Sequence, residues 1–143
     1  MFRQDPAPAF VIRHRALGSR PIRHLCQAGP AISTISKLRH IISCNTDHPE
    51  KIAYIDDTGS LSYGDLADRI QRVAAGLQAS GVRREERVLL LMQDCRDWPV
   101  CFLGAMYAGI VPVALNTLLA AEDYTYMLDN SGAQTVMVSG SLL

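Results

Sequence analysis

The 143-residue sequence lacks the short motifs that mark a complete catalytic site. Gly104 and Gly109 have the glycine spacing of a phosphate loop, but Ile110 follows where the loop requires lysine. There is also no G-x-G-x-x-G dinucleotide motif, no G-x-S-x-G nucleophile elbow and no H-E-x-x-H zinc motif. From motifs alone we therefore assign no catalytic, cofactor-binding or metal-binding residue.

Cysteine and histidine are few and dispersed. The four cysteines form no C-x-x-C pair, and all four histidines precede Pro49, so the spacing excludes an ordinary zinc site. Dispersed cysteines without a recognisable secretory leader are typical of a reduced intracellular protein, and we expect a cytoplasmic location. The cysteines are Cys26, Cys44, Cys95 and Cys101.

Lysine occurs at two positions, Lys37 and Lys51. This scarcity argues against a receiver domain, in which acidic residues such as Asp56 and Asp57 would need a lysine after a later strand. We interpret this acidic pair as ordinary turn residues, because Gly59 follows and turns the chain into a hairpin.

The chain has no excess of either charge: 14 Lys and Arg balance 14 Asp and Glu. This balance gives no indication of nucleic-acid binding. Residues 1–47 nevertheless carry a net charge of +5 and residues 48–143 a net charge of −5. We predict that residues 1–47 are an extension, disordered or with one short helix within 31–44. Prolines at 6, 8 and 21 argue against the amphipathic helix of a transit peptide.

Residues 98–121 form a run of 24 uncharged positions, long enough to cross a bilayer. Proline and glycine interrupt this run, and no cluster of Lys or Arg flanks it. We therefore predict a buried helix followed by a buried strand, and no membrane span.

After Pro49 the apolar periodicity alternates between strands and helices. It predicts a small hairpin over 52–63 and then a helix with one apolar stripe that ends at Gly81. Ser62 and Asp65 are three positions apart at the start of this helix and predict a motif close to a capping box. Strands over 87–92, 110–114 and 135–139 alternate with helices over 99–109 and from Tyr124 to Gly132. The pattern predicts an α/β fold with a partial doubly wound parallel sheet, in which Pro112 suggests a sheet edge or a bulge.

Several stretches resemble a known family. Residues 47–55, 61–66 and 76–82 resemble the opening of the adenylate-forming acyl-CoA synthetase superfamily. Residues 102–119 and 123–128 are similar more specifically to benzoate–CoA ligases. The resemblance covers about residues 48–141, so we interpret 48–143 as a truncated N-terminal part of an AMP-binding domain. No such resemblance extends over residues 1–45.

The resemblance implies a reaction: an aromatic carboxylate such as benzoate, ATP and coenzyme A form an acyl-CoA through an acyl-adenylate, with Mg²⁺ assisting. In the family, the groups that hold the phosphates come later than the part resembled here. No adenylation residue can therefore be carried over, and we predict that the 143 residues alone neither bind ATP tightly nor make benzoyl-CoA. Asn116 and Thr117 follow a predicted parallel strand and are our candidate site-facing loop. An ordinary strand-to-helix turn remains the alternative for this pair.

Two other functions stay open at this level. One is a non-enzymatic α/β interaction module, and the other is an aryl-AMP ligase that loads a carrier protein. The sequence leaves the oligomeric state open. We also expect loose packing or aggregation, because apolar faces that later family sequence would cover become exposed.

Overall fold

The computed structural model describes residues 10–14, 45 and 47–142. Within these residues the chain forms six strands, three α-helices and a short 3₁₀ turn at Gly140–Leu142. The strands are β1 Phe10–His14, β2 Ile52–Asp56, β3 Gly59–Ser62, β4 Arg87–Leu91, β5 Val111–Ala114 and β6 Thr135–Ser139. The helices are α1 Tyr63–Ala79, α2 Asp97–Tyr107 and α3 Ala121–Ser131.

Four of the strands form one sheet in the order β1-β6-β4-β5, and β2 pairs with β3 as a separate hairpin. β4 is parallel to both of its neighbours, so that Leu89 lies opposite Val113 of β5 and Val136 of β6. These pairings confirm the predicted parallel sheet and the predicted hairpin.

The connections between the parallel strands reverse direction along the sheet. The chain passes from β4 through α2 to the neighbouring β5, and then through α3 back past β4 to β6. Because crossovers between parallel strands are right-handed, α2 and α3 lie on opposite faces of the sheet. The sheet is therefore doubly wound, as the sequence predicts.

The core lies mainly between the sheet and the α1–α2 pair. The predicted apolar stripe of α1 is buried here, together with Val88 and Leu90 of β4. The two helices approach closely at Gly104, where an added Cβ would lie 2.6 Å from Val73 Cγ1. Side chains alternate along a strand, so Leu89 lies on the face of the sheet opposite to that of Val88 and Leu90. Leu89 is also fully buried. The stripe residues of α1 are Leu66, Ile70, Val73 and Leu77.

Both ends of α1 follow their predicted capping chemistry. The Ser62 hydroxyl accepts a hydrogen bond from the Asp65 backbone N–H at 3.1 Å and donates to the Asp65 carboxylate at 2.8 Å. At the other end Gly81 has a φ of 85°, the left-handed conformation that glycine adopts without strain. The structure thus confirms the helix start at Ser62 and the stop at Gly81.

Pro112 lies on the edge strand β5. The backbone N–H groups of Val111 and Leu115 donate to carbonyls of the β4 segment, each at 2.9 Å. The backbone groups of successive residues in a strand are directed to opposite edges. Those of residue 112 are therefore directed away from β4, where proline does not remove a hydrogen bond to β4. The structure therefore shows the edge position that Pro112 suggested.

Strand β1 is the main difference from the sequence-based prediction, which placed no strand in residues 1–47. Its five residues pair antiparallel with β6, from Phe10 opposite Ser139 to His14 opposite Thr135. The run Phe-Val-Ile favours a strand, and pairing satisfies the outer backbone groups of β6. The helix predicted within residues 31–44 lies outside the described residues.

The uncharged run over residues 98–121 divides between α2, β5, the loops that follow them and the first residue of α3. β5 is not the buried strand that we predicted, because its edge position leaves Val111 45% exposed. No helix in the described part of the chain has both the length and the apolar character that a membrane span needs.

Candidate functional site

Asp56 and Arg96 join the hairpin to the loop that leads into α2. Arg96 Nε lies 3.1 Å from Asp56 Oδ1, and the Arg96 backbone N–H donates to Asp56 Oδ2 at 2.9 Å. The guanidinium also donates to the Ser60 carbonyl at 2.9 Å and to the Thr58 hydroxyl at 2.6 Å. Each nitrogen of the Arg96 guanidinium therefore has a partner within the protein.

The same contacts lower the pKa of the Asp56 carboxyl well below its usual range. The largest cause is the hydrogen bond from the Thr58 hydroxyl, followed by the one from the Arg96 backbone N–H. The Arg96 charge contributes in the same direction. A carboxylate held ionised and saturated with donors is suited to fixing the hairpin, not to moving protons in a reaction.

A shallow cavity of about 260 Å³ lies beside this joint. Its walls come from the hairpin residues Tyr54 and Ile55 and from Cys95, Trp98 and Pro99 at the start of α2. The Trp98 ring stacks on Phe102 with ring centres 5.0 Å apart. The lining is mainly apolar. Of its charged residues, Asp56 and Arg96 pair with each other, and Asp94 is exposed.

The carboxyl ends of the parallel strands carry a second polar group of residues. The Gln93 backbone N–H donates to the Ser139 hydroxyl at 3.1 Å, and the Ser141 hydroxyl donates to Gln93 Oε1 at 2.9 Å. These bonds tie the loop after β4 to the end of β6. Sequence analysis missed these three residues. Gln93 and Ser141 follow the carboxyl ends of parallel strands, the same signal that singled out Asn116, and Ser139 is the last residue of β6.

Asn116 and Thr117 lie in the loop after β5, at the same edge of the sheet. Asn116 Oδ1 accepts a hydrogen bond from the Leu118 backbone N–H at 3.0 Å, which closes a tight turn. The Tyr124 hydroxyl donates to the Asn116 carbonyl at 2.9 Å and accepts from the Leu119 N–H at 3.2 Å. Helix α3 thereby holds the loop in a defined conformation.

The loops after β4 and β5 lead to helices on opposite faces of the sheet. In open α/β sheets such a divergence forms a crevice at the carboxyl edge, and ligands bind there. The structure thus brings the Asn116–Thr117 loop to the same edge of the sheet as the Gln93 loop.

The described cysteines differ in their surroundings. Burial raises the pKa of the Cys101 thiol to about 12, with smaller contributions from Asp97 and Cys95. Cys95 is half-buried at the cavity. Across residues 10–14, 45 and 47–142, no three His, Cys, Asp or Glu side chains come together as a metal site would require.

The Ser141 hydroxyl and the Lys51 ammonium, which could contact the phosphates of a nucleotide, both have other partners in the described part of the chain. The turn at Gly140–Leu142 follows a strand, but the Ser141 hydroxyl is directed to Gln93. The described lysine, Lys51, lies over the Tyr63 ring with its ammonium 5.8 Å from the ring centre. We therefore assign no step of a nucleotide-dependent reaction to these side chains.

The doubly wound parallel sheet, with its divergent loops at the carboxyl edge, defines an α/β domain of the kind that binds small molecules. The AMP-binding enzyme family matches residues 43–142, and the chain belongs to that family.

Several of the similar proteins are ligases of aromatic acids. The chain is 47% identical over 93 residues to the 4-hydroxybenzoate–CoA/benzoate–CoA ligase of Rhodopseudomonas palustris, covering 65% of this chain. It is 46% identical over 94 residues, again 65% of this chain, to the benzoate–CoA ligase of Thauera aromatica. A crystal structure of a benzoate CoA ligase from Burkholderia xenovorans superposes with a TM-score of 0.71 at 49% identity, covering 77% of this chain and 22% of that one.

The match accounts for a small part of these relatives. The chain spans 17% of the length of the R. palustris ligase and 18% of that of the T. aromatica enzyme. It therefore corresponds to part of an AMP-binding domain.

Proposed function

We propose that this chain forms the N-terminal part of an ATP-dependent aromatic acid–CoA ligase. The observation that carries the proposal is the identity of 46–49% to benzoate–CoA ligases in sequence and in structure. The proposed overall reaction converts benzoate, ATP and coenzyme A into benzoyl-CoA, AMP and pyrophosphate through benzoyl-adenylate. Adenylation is needed because a carboxylate resists attack by a thiol, whereas an acyl-adenylate carries a good leaving group.

Within this function the 143 residues act as a scaffold. The joint between Asp56 and Arg96 fixes the hairpin, and α1 and α2 cover one face of the sheet. Because the Ser141 hydroxyl and the Lys51 ammonium are engaged within the chain, we propose that the chain alone releases no pyrophosphate from ATP in the presence of benzoate, Mg²⁺ and coenzyme A.

A segment exchange tests the proposal. Residues 48–141 of this chain replace the matching segment of the R. palustris ligase, and benzoyl-CoA formation is measured by chromatography. We expect product from the exchanged enzyme and none from the 143-residue chain. The unmodified ligase is the positive control, and the ligase without the segment is the negative control.

Two results would contradict the proposal. A folded but inactive exchanged enzyme would favour a non-enzymatic interaction module, because the segment would then not support the reaction. Activity that required a carrier protein in place of coenzyme A would favour an aryl-AMP ligase.

We further propose that the loop of Asn116 and Thr117 faces the substrate in the complete enzyme. Its position at the carboxyl edge of the sheet and its fixation by Tyr124 support this role. In the exchanged enzyme, Thr117→Ala should raise the KM for benzoate several-fold and leave the thermal midpoint unchanged. Thr125→Ala, on exposed helix α3, is the matched control. An unchanged KM would identify the loop as an ordinary turn.

A further inference from the structure

The cavity beside the joint of Asp56 and Arg96 carries one carboxylate that the joint does not use. Asp56 and Arg96 line this cavity and neutralise each other, because Arg96 Nε lies 3.1 Å from Asp56 Oδ1. Asp94 also lines the cavity and is exposed, and its side chain has no ion pair or hydrogen bond within the described part of the chain. The cavity therefore has an unbalanced negative charge at Asp94.

Two arginines near the start of α2 have partners other than Asp94. The remaining nitrogens of the Arg96 guanidinium donate to the Ser60 carbonyl and to the Thr58 hydroxyl. Arg69 Nη1 lies 3.6 Å from Asp97 Oδ1. The Asp94 carboxylate is therefore left to a cation from outside these contacts.

The other walls of the cavity offer apolar and aromatic surface. Tyr54 and Ile55 are both exposed, although their side chains are large and apolar. Trp98 adds an indole ring that is stacked on Phe102. Aromatic rings attract cations as well as apolar groups. Together with Asp94, this lining matches a ligand that carries a positive charge on an apolar body.

The size and the rigidity of the cavity restrict the ligand further. Its volume of about 260 Å³ is just below the range of roughly 300–1,000 Å³ that is usual for small-molecule sites, so it suits a molecule with a single ring. The joint of Asp56 and Arg96 holds the hairpin against the start of α2 and so fixes the walls relative to each other. A ligand therefore does not have to order these walls, which lowers the free-energy cost of binding.

We propose that this cavity binds a small organic cation of the arylalkylamine class, in which an ammonium group is joined to a single aromatic ring. The ammonium lies beside the Asp94 carboxylate, and the ring packs against Ile55 and Trp98. An aromatic carboxylate such as benzoate is disfavoured, because its negative charge would lie near that of Asp94. The proposal therefore concerns a ligand other than the benzoate of the proposed function, and it does not rest on that function.

The fluorescence of the full 143-residue chain tests this proposal, because Trp98 is its single tryptophan. The probe is 2-phenylethylamine at pH 7, compared with the neutral 2-phenylethanol and the anionic 3-phenylpropionate. We expect the amine to change the Trp98 emission saturably, with a Kd at least about threefold lower than that of the alcohol, as an exposed ion pair would give. The carboxylate should cause no saturable change.

Two variants assign the contacts. Asp94→Asn should raise the Kd of the amine about threefold and leave that of the alcohol unchanged, because only the amine pairs with the carboxylate. Ile55→Ser should raise the Kd of both compounds by a similar factor, because it removes apolar contact surface. Asp57→Asn is the matched control: it removes a charge from an exposed turn position outside the lining and should change neither Kd.

Cys95 gives a second readout that does not depend on fluorescence. Its thiol is half-buried in the wall of the cavity, so a bound amine should shield it from methyl methanethiosulfonate. With 2-phenylethylamine at about ten times its Kd, labelling of Cys95 followed by mass spectrometry should be about tenfold slower. 3-Phenylpropionate at the same concentration should not protect Cys95.

Several results would overturn the proposal. They are a folded chain whose Trp98 emission or Cys95 labelling does not respond to the amine, equal Kd values for amine and alcohol, and an unchanged Kd of the amine in Asp94→Asn. Preferential binding of 3-phenylpropionate or benzoate would also overturn it and would identify the cavity as a site for acids. The proposed ligase function is tested separately, because the segment exchange measures benzoyl-CoA formation.

Discussion

At the scale of single residues, Asp56 couples the hairpin to α2 through an ionised carboxylate. Its pKa is lowered in the folded chain, chiefly by the Thr58 hydroxyl. The ionised Asp56 carboxylate therefore stabilises the folded chain fully above the pKa of about 4 that it has in the unfolded chain. This stabilisation is lost as the pH falls toward the lower pKa that it has in the folded chain.

We predict that Asp56→Asn lowers the thermal midpoint at pH 7 because it removes the charge that Arg96 pairs with. The gap between variant and parent should narrow as the pH is lowered from about 5 to about 2. Circular dichroism melts across this range measure the effect, with Asp57→Asn at an exposed turn position as the control. If the difference in thermal midpoint between variant and parent did not depend on pH, the contact between Asp56 and Arg96 would stabilise the chain by hydrogen bonding alone.

A second residue-scale prediction concerns the thiols. Because the pKa of Cys101 is about 12, the fraction of this thiol that is ionised at pH 8 is on the order of a thousandfold lower than that of an ordinary cysteine. Iodoacetamide labelling followed by mass spectrometry should modify Cys101 at least about tenfold more slowly than Cys95. Denaturant should remove the difference. Equal rates in the folded chain would show that α2 opens readily.

At the scale of elements, the approach of α1 and α2 depends on Gly104. An added Cβ would meet two atoms of Val73 at 2.6 and 2.7 Å, so Gly104→Ala should destabilise the chain by about 1–3 kcal/mol. Gly76→Ala, on α1, meets nothing within 4 Å and should stabilise by about 0.5–1 kcal/mol. Urea unfolding of the two variants distinguishes helix propensity from packing. Stabilisation by both would mean that the helices can separate without cost.

The elements also show where sequence reasoning succeeds. Strong periodicity and local capping predicted α1 with its Ser62 start, and uninterrupted apolar runs predicted β4 and β6. Strand β1 escaped prediction because a short Phe-Val-Ile run among prolines and arginines has no periodicity, and its stability comes from distant pairing with β6. Long-range pairing of this kind leaves no local signal.

Sequence reasoning found only some of the polar residues at the carboxyl edge of the sheet, because local patterns do not reveal contacts between distant positions. Asn116 was found because it follows a recognisable strand. Gln93 follows β4 and Ser139 ends β6, but their contact joins residues 46 positions apart in sequence.

At the scale of the whole molecule, several large apolar side chains are exposed. Ile55 is 77% exposed and Leu118 is 88% exposed, while α3 buries no residue completely. We predict concentration-dependent association of the purified chain, measured by light scattering after size exclusion. Ile55→Lys combined with Leu118→Lys should increase the monomer fraction, whereas Arg72→Lys should not. A monodisperse parent chain would contradict the prediction.

Pro112 gives the sheet a direction in which it can be enlarged. Ladder growth is blocked beyond β5, so any enlargement of this domain by added strands must proceed from the β6 side. A new strand could therefore be added to this sheet by design in place of β1. The outer edge of β5 would resist edge-to-edge association with other sheets.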